Sequence, residues 1–152
     1  MNEEHQKRAL LGHQLVMTNI SIFHLLLPIV AFSTGYLNEI MIVSLLASLG
    51  FALILARGAR ESTCPEFVSA HWRQAWKRNR YILMSYLVSA SVMGLGWVFS
   101  STQTDPQMKK ILLTTFIPMS VVPTLLTVIV VLVLQTMTMA RAQQGLLPNN
   151  KI

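Results

Sequence analysis

Among the residues able to carry chemistry, His24 stands out. It sits with Asn19 and Ser21 inside an apolar run, Leu15 to Tyr36, that contains no Lys, Arg, Asp or Glu. A histidine at that depth suits haem ligation, a proton relay or a hydrogen bond between helices. Bis-histidine haem needs a second histidine at matching depth, and His5, His13 and His71 are expected near or outside the membrane surface. The hydrogen bond between helices is therefore the favoured reading. At 100° per residue His13, Met17, Ile20, His24 and Pro28 share one face, and Pro28 leaves the carbonyl of His24 without its usual donor.

The other chemical side chains form no constellation. A dithiol centre needs two thiols, and the chain has Cys64 alone. Met137 and Met139 are two residues apart, so their sulfurs do not share a helix face and do not suggest copper. Glu39 and Asp105 are single acids in short connections, with no nucleophile, base or metal cluster beside them. No enzyme, metal or cofactor is expected.

The elements that carry these residues follow from composition. The chain has 152 residues, of which 53% are hydrophobic and 12% charged, with a mean hydropathy of +0.51. That charge content is about half of what soluble domains carry. Crossing the hydrocarbon takes about 20 apolar residues. Four segments qualify, at about 15–36, 40–56, 81–99 and 111–134. The first exceeds a usual signal-peptide core and ends without a small-x-small cleavage pattern, so it is expected to stay in the mature protein. "GYLNE" (35–39) suits a tight turn and "SSTQTDPQMKK" (100–110) a loop. Of the twelve Lys and Arg residues, all but Lys109 and Lys110 fall in the two termini or in residues 57–80. The positive-inside rule then places both termini and residues 57–80 in the cytoplasm of a cell bounded by a bacterial-type inner membrane. The expected architecture is an all-α integral membrane protein, a single domain over 1–152. Four transmembrane helices form two hairpins in a four-helix bundle, with an interfacial amphipathic helix at about 64–80.

That helix lies in "TCPEFVSAHWRQAWKRNR" (63–80). Thr63, Pro65 and Glu66 fit a capping box with proline in the first turn. Val68, Trp72, Ala75, Trp76 and Asn79 fall on one arc, with Arg73, Lys77 and Arg80 roughly opposite. Trp at the headgroup level and Lys or Arg against anionic lipid predict a helix lying along the membrane before it bends into the third span at Tyr81. Trp72, Arg73, Trp76, Lys77 and Arg80 are its candidate lipid- or partner-binding residues. His71 falls at the edge of the apolar arc beside Arg78, outside any ligand cluster.

The pattern Phe67, Val68, His71, Gln74, Ala75 in "FVSAHWRQA" resembles the small polytopic membrane proteins related to the small membrane subunit of the chloroplast import translocon, and their bacterial relatives. The resemblance covers about a dozen residues. It implies a four-helix membrane fold and a translocation-related partner, with His71 and Gln74 as the positions carried over.

Small residues mark expected packing faces. Ser44, Ala47 and Ser48 line one side of the second span, and Ser85, Ser89 and Gly96 one side of the third, so these two spans are expected to pack together or against a partner. Ala90 and Gly94 offer another small pair. In the fourth span Pro118 and Pro123 free the carbonyls of Thr114 and Met119, with Thr115, Ser120, Thr124 and Thr127 nearby to re-satisfy them. The C-terminal "QQGLLPNNKI" is expected to fray. A pI near 10.0 invites a nucleic-acid partner, but the basic residues flank the spans. The expected partners are a bilayer with anionic lipids and a membrane protein or second copy. These features point to a non-enzymatic inner-membrane accessory subunit, assembly factor or immunity-type protein. The alternatives are a small oligomeric channel or carrier, or a haem- or quinone-binding redox subunit using His24.

Overall fold

Glu3 and Glu4 open the first helix, where the exposed N–H groups favour acidic side chains, and Glu3 pairs with Lys7 one turn on at 2.8 Å. The computed structural model describes residues 3–61 and 65–148, and these form helices and short connections with no strand among them. Helix α1 (Glu3–Thr18) passes directly into a π-helical stretch, Asn19–Leu26, and then into α2 (Leu27–Thr34). The widened turns end against Pro28, whose ring cannot follow an ordinary helical turn without crowding the carbonyl four residues back. The N–H of Leu27 instead reaches the carbonyl of Ile22, five residues back. Gly35 closes α2 in the left-handed conformation (φ 77°), which a residue without a Cβ adopts at little cost.

Helix α3 (Leu37–Arg60) follows at once, so the turn is Gly35 and Tyr36 alone, and Glu39 falls in the first turn of the helix. Arg57 and Arg60 close it, where cations complement the terminal carbonyls. Helix α4 is Glu66–Ser101 and helix α5 is Pro106–Gln143. Asp105 caps α5 by accepting the N–H of Gln107 at 2.9 Å, with Pro106 in the first turn. Four helical stretches, Glu3–Ala31, Glu39–Arg60, Glu66–Ser101 and Pro106–Gln143, are long and apolar enough to cross a membrane.

A separate interfacial helix is not what the structure shows. Residues 66–80 are the first turns of α4, which runs unbroken through the expected bend at Tyr81. No glycine or proline occurs between Glu66 and Met93, so nothing interrupts the backbone ladder. Thr63 and Cys64 of the expected capping box lie outside the described residues.

The chain divides into two compact units, Met1–Arg80 with Val131–Ile152, and Tyr81–Val130. In the first, Val16, Ile20, Leu55, Val68, Ala75 and Val131 are buried together with His13, Asn19, His71, Arg78, Asn79 and Gln135. The rings of Phe23 and Phe51 meet at 5.6 Å, and Ser44 donates to the carbonyl of Phe23. The C-terminal residues do not fray before Pro148. Gly145, at φ 72°, turns the chain back, Leu146 N–H bonds the carbonyl of Arg141 at 3.0 Å, and Arg141 Nε donates to the carbonyl of Leu147 at 3.1 Å. The last two helical carbonyl turns thereby gain partners.

In the second unit, Ser89 and Thr124 share a hydrogen bond of 2.9 Å, Ser85 donates to the carbonyl of Ile82, and Gly96 lies against Phe116 so closely that a Cβ there would overlap its ring stem. The rings of Phe99 and Phe116 are 6.2 Å apart. Around Pro118 and Pro123, Thr115, Ser120 and Thr127 donate to Ile111, Ile117 and Pro123, not to the carbonyls that the prolines free.

Candidate functional site

The arrangement with the most chemistry in it is a buried line of polar side chains in the first unit. Arg78 and His71 come from the start of α4, spaced so that they share a face two turns apart. His13 comes from α1 and Gln135 from the end of α5. Arg78 Nη1 donates to the carbonyl of Leu134 at 2.6 Å and to Gln135 Oε1 at 3.1 Å. Gln135 Nε2 lies 2.8 Å from His13 Nδ1 and 3.3 Å from the carbonyl of His13. His13 Nε2 lies 2.9 Å from His71 Nδ1, and His71 Nε2 lies 3.1 Å from the carbonyl of Leu146. The two imidazoles meet edge to face, 5.1 Å between centroids and 88° between planes, and Phe67 covers His71 at 4.8 Å.

The two ends of this line fix every proton in it. A carbonyl only accepts, so His71 Nε2 must carry its N–H; His71 Nδ1 is then the acceptor in the neutral ring. His13 must therefore donate from Nε2 and accept at Nδ1, which requires the amide N–H of Gln135 to face it. The amide oxygen is left facing Arg78, which can only donate. All bonds run in one direction, from the guanidinium to the Leu146 carbonyl, and both histidines are neutral.

Electrostatics push the same way. His13 precedes the first apolar run, and burial foremost, then His71 and Arg78, lower its pKa to about 3. His71, well before the third run, is also lowered by burial, with Arg141 and Arg78 adding to it against the opposing bond to Leu146. Burial lowers Arg78 to about 10, which leaves it charged at neutral pH. A proton arriving on either histidine would force the Gln135 amide to turn its N–H toward Arg78. The line is thus poor at passing protons and well suited to fixing α1, α4, α5 and the C-terminal residues in one register.

Two further polar contacts come from the π-helical stretch that follows α1. Asn19 Nδ2 donates to Asn79 Oδ1 at 3.2 Å, both side chains being buried, while Asn19 Oδ1 and Asn79 Nδ2 find no partner among the described residues. His24 Nδ1 donates to the carbonyl of Asn19 at 3.1 Å, inside the π-helical stretch.

The expected lipid- or partner-binding patch splits. Trp72 is half-buried. Its indole rests on Gly12 and fills the space where a Cβ on Gly58 would sit, and its Nε1 donates to the carbonyl of Arg8 at 3.0 Å. Trp76 is half-buried, and Arg73, Lys77 and Arg80 are exposed. Gln74, expected with His71 from the resemblance, is buried as well. His71, expected outside any cluster, lies at the centre of one.

Ser44 is engaged by Phe23, whereas Ser85 and Ser89 meet Thr124. Ser48 is buried, Gly96 meets Phe116, and Gly94 faces open space. Among the described residues no group of three or more His, Cys, Asp or Glu side chains could hold a metal.

His13, Arg78 and Gln135 were not singled out from sequence. Depth was the available signal: His13 lies two residues before the first apolar run, Arg78 three before the third and Gln135 one after the fourth. No family model matches the chain, and comparison with curated proteins and with solved structures finds no match.

Proposed function

We propose that the chain is a multi-pass inner-membrane protein, both termini cytoplasmic, that acts without catalysis through helix contacts, as an accessory subunit or assembly factor. The observation that carries this reading is the one-directional line from Arg78 to Leu146. It holds His13, His71 and Arg78 in bonds that end on a guanidinium and a carbonyl, neither of which trades protons near neutral pH. Such a network fixes a shape, and fixed shape is what a binding scaffold needs. The contacts of Trp72 with Arg8, Gly12 and Gly58, and of Gln135 with His13, support an even number of crossings. The apolar side chains turned outward, such as Leu46, Leu53, Leu87 and Leu126, support a lipid or helix environment. The "FVSAHWRQA" resemblance adds a membrane-translocation assembly as the class of partner.

The test is the mass of the particle extracted in a mild detergent from cells expressing the chain at its natural level. A particle that contains a second membrane polypeptide or several copies of this one is expected. A lone chain in its detergent belt overturns the reading.

A further inference from the structure

One face at the start of α4 is not used by the buried network. Glu66, Arg73, Gln74 and Lys77 line one side of an open groove of about 420 Å³, and Leu147 and Pro148 line the other. The far wall is built, not loose: His71 and Arg141 donate to the carbonyls of Leu146 and Leu147, and Pro148 is buried. Arg73 is held in place by its own helix, with Nε on the carbonyl of Ser69 and Nη2 on Ser69 Oγ, each at 3.3 Å. Its Nη1 edge makes no hydrogen bond among the described residues. Lys77, one turn further, is exposed. Glu66 opposes them from the other end of the groove, about 10 Å from Arg73 along the axis at 1.5 Å per residue. Arg141 adds positive charge behind the tail wall.

A fixed guanidinium edge with an ammonium one turn away matches a tetrahedral oxyanion with more than one oxygen to offer. The Leu147–Pro148 wall is apolar, and Lys77 lies about 6 Å along the helix, at 1.5 Å per residue, before the apolar run that starts at Tyr81. Those two facts select a ligand whose phosphate sits beside hydrocarbon. We propose that this groove holds the phosphate of an anionic phospholipid head group, with Arg73 and Lys77 as its donors. The proposal rests on the membrane setting described above and not on any protein partner.

The full chain in detergent, titrated with phosphatidylglycerol and with phosphatidylcholine and read by native mass spectrometry, tests it. Phosphatidylglycerol is expected to bind more tightly, and Arg73→Gln with Lys77→Gln to weaken it about tenfold or more, given about 1 kcal/mol for each cation at a lipid surface. Removing the same charge with Arg57→Gln and Arg60→Gln is expected to change binding less than about twofold, and Leu147→Glu to weaken it with helicity unchanged. Equal losses in the two double variants would show diffuse attraction and overturn the site. Binding of inorganic phosphate that depends on Arg73 and Lys77, without binding of phosphatidylglycerol, would overturn the lipid assignment. Failure in either way leaves the particle-mass test of the accessory role untouched.

Discussion

The two compact units solve the problem of an apolar chain differently. In Met1–Arg80 with Val131–Ile152, helices are joined by buried polar side chains with directional bonds: Arg78 to Gln135, Gln135 to His13, His13 to His71. In Tyr81–Val130 the bond between side chains of α4 and α5 is one of hydroxyls, as between Ser89 and Thr124, and the surface carries exposed Leu87, Leu95, Trp97, Ile117, Val121 and Leu126. A hydroxyl that returns to its own helix accepts almost any neighbour, whereas a line of donors and acceptors accepts one arrangement. Directional bonding between buried side chains is thus concentrated in the first unit.

Breaking the line should have the largest effect. Gln135→Leu leaves His13 Nδ1 without a donor and a buried guanidinium with one acceptor fewer, so it is expected to cost about 3 kcal/mol or more. The joint variant Asn19→Leu with Asn79→Leu is expected to cost no more than about 1 kcal/mol, because that pair makes one bond and leaves one donor and one acceptor unmet. Thermal midpoints in detergent measure both. If the asparagine variant is as damaging as Gln135→Leu, bond direction is not what holds the first unit.

Acid should act next. His13 and His71 have pKa values lowered by folding, so between their ordinary value and the lowered one the unfolded chain binds protons that the folded chain does not. Stability is then full above about pH 6.5 and declines below it, by up to about 1.4 kcal/mol per pH unit for each histidine. A thermal midpoint flat from pH 7 to 8 and falling from pH 6 to 4.5 is expected, and His71→Gln should shallow that fall. An unchanged midpoint down to pH 4.5 would show that the neutral pair does not matter.

Much of this architecture was legible in the sequence, and what was missed has physical causes that differ from place to place. The four apolar runs and the Gly35 turn could be read because each is a local pattern, none longer than 24 residues. The break expected at Tyr81 came from composition: a change from basic to apolar residues was taken for a change of direction, though the helix has no glycine or proline there to bend it. Assigning Trp72 to the headgroups followed an average preference of tryptophan, and its actual partners, Gly12 and Gly58, lie far off in sequence. The pairing of His13 with His71 required matching helix ends by depth, and a search for a second intramembrane histidine looked at the wrong level.

That lesson about tryptophan has its own test. A Cβ on Gly58 would fall within the Trp72 ring, whereas one on Gly12 would lie 3.3 Å from it. Gly58→Ala is therefore expected to cost about 1–3 kcal/mol as an overpacked contact. Gly12→Ala should be close to neutral, since the tighter contact is offset by a better helix former. Equal costs at the two glycines would mean that the indole moves freely and that Trp72 is a surface anchor after all.

The second unit gives the smallest effect, and its smallness is the point. Ser89→Ala removes the 2.9 Å bond to Thr124, yet Thr124 keeps the hydroxyl of Ser85 at 3.4 Å, so the loss is expected to be about 0.6 kcal/mol, the mean for hydrogen bonds between membrane helices. Ser85→Ala with Ser89→Ala should still not exceed about 1.5 kcal/mol, because a threonine hydroxyl left alone can turn to a carbonyl of its own helix. A double variant that loses as much as Gln135→Leu would show that the hydroxyl cluster is as selective as the histidine line. The division of labour between the two units would then fail, since directional bonding would hold both and neither could be assigned to an adaptable, partner-facing role.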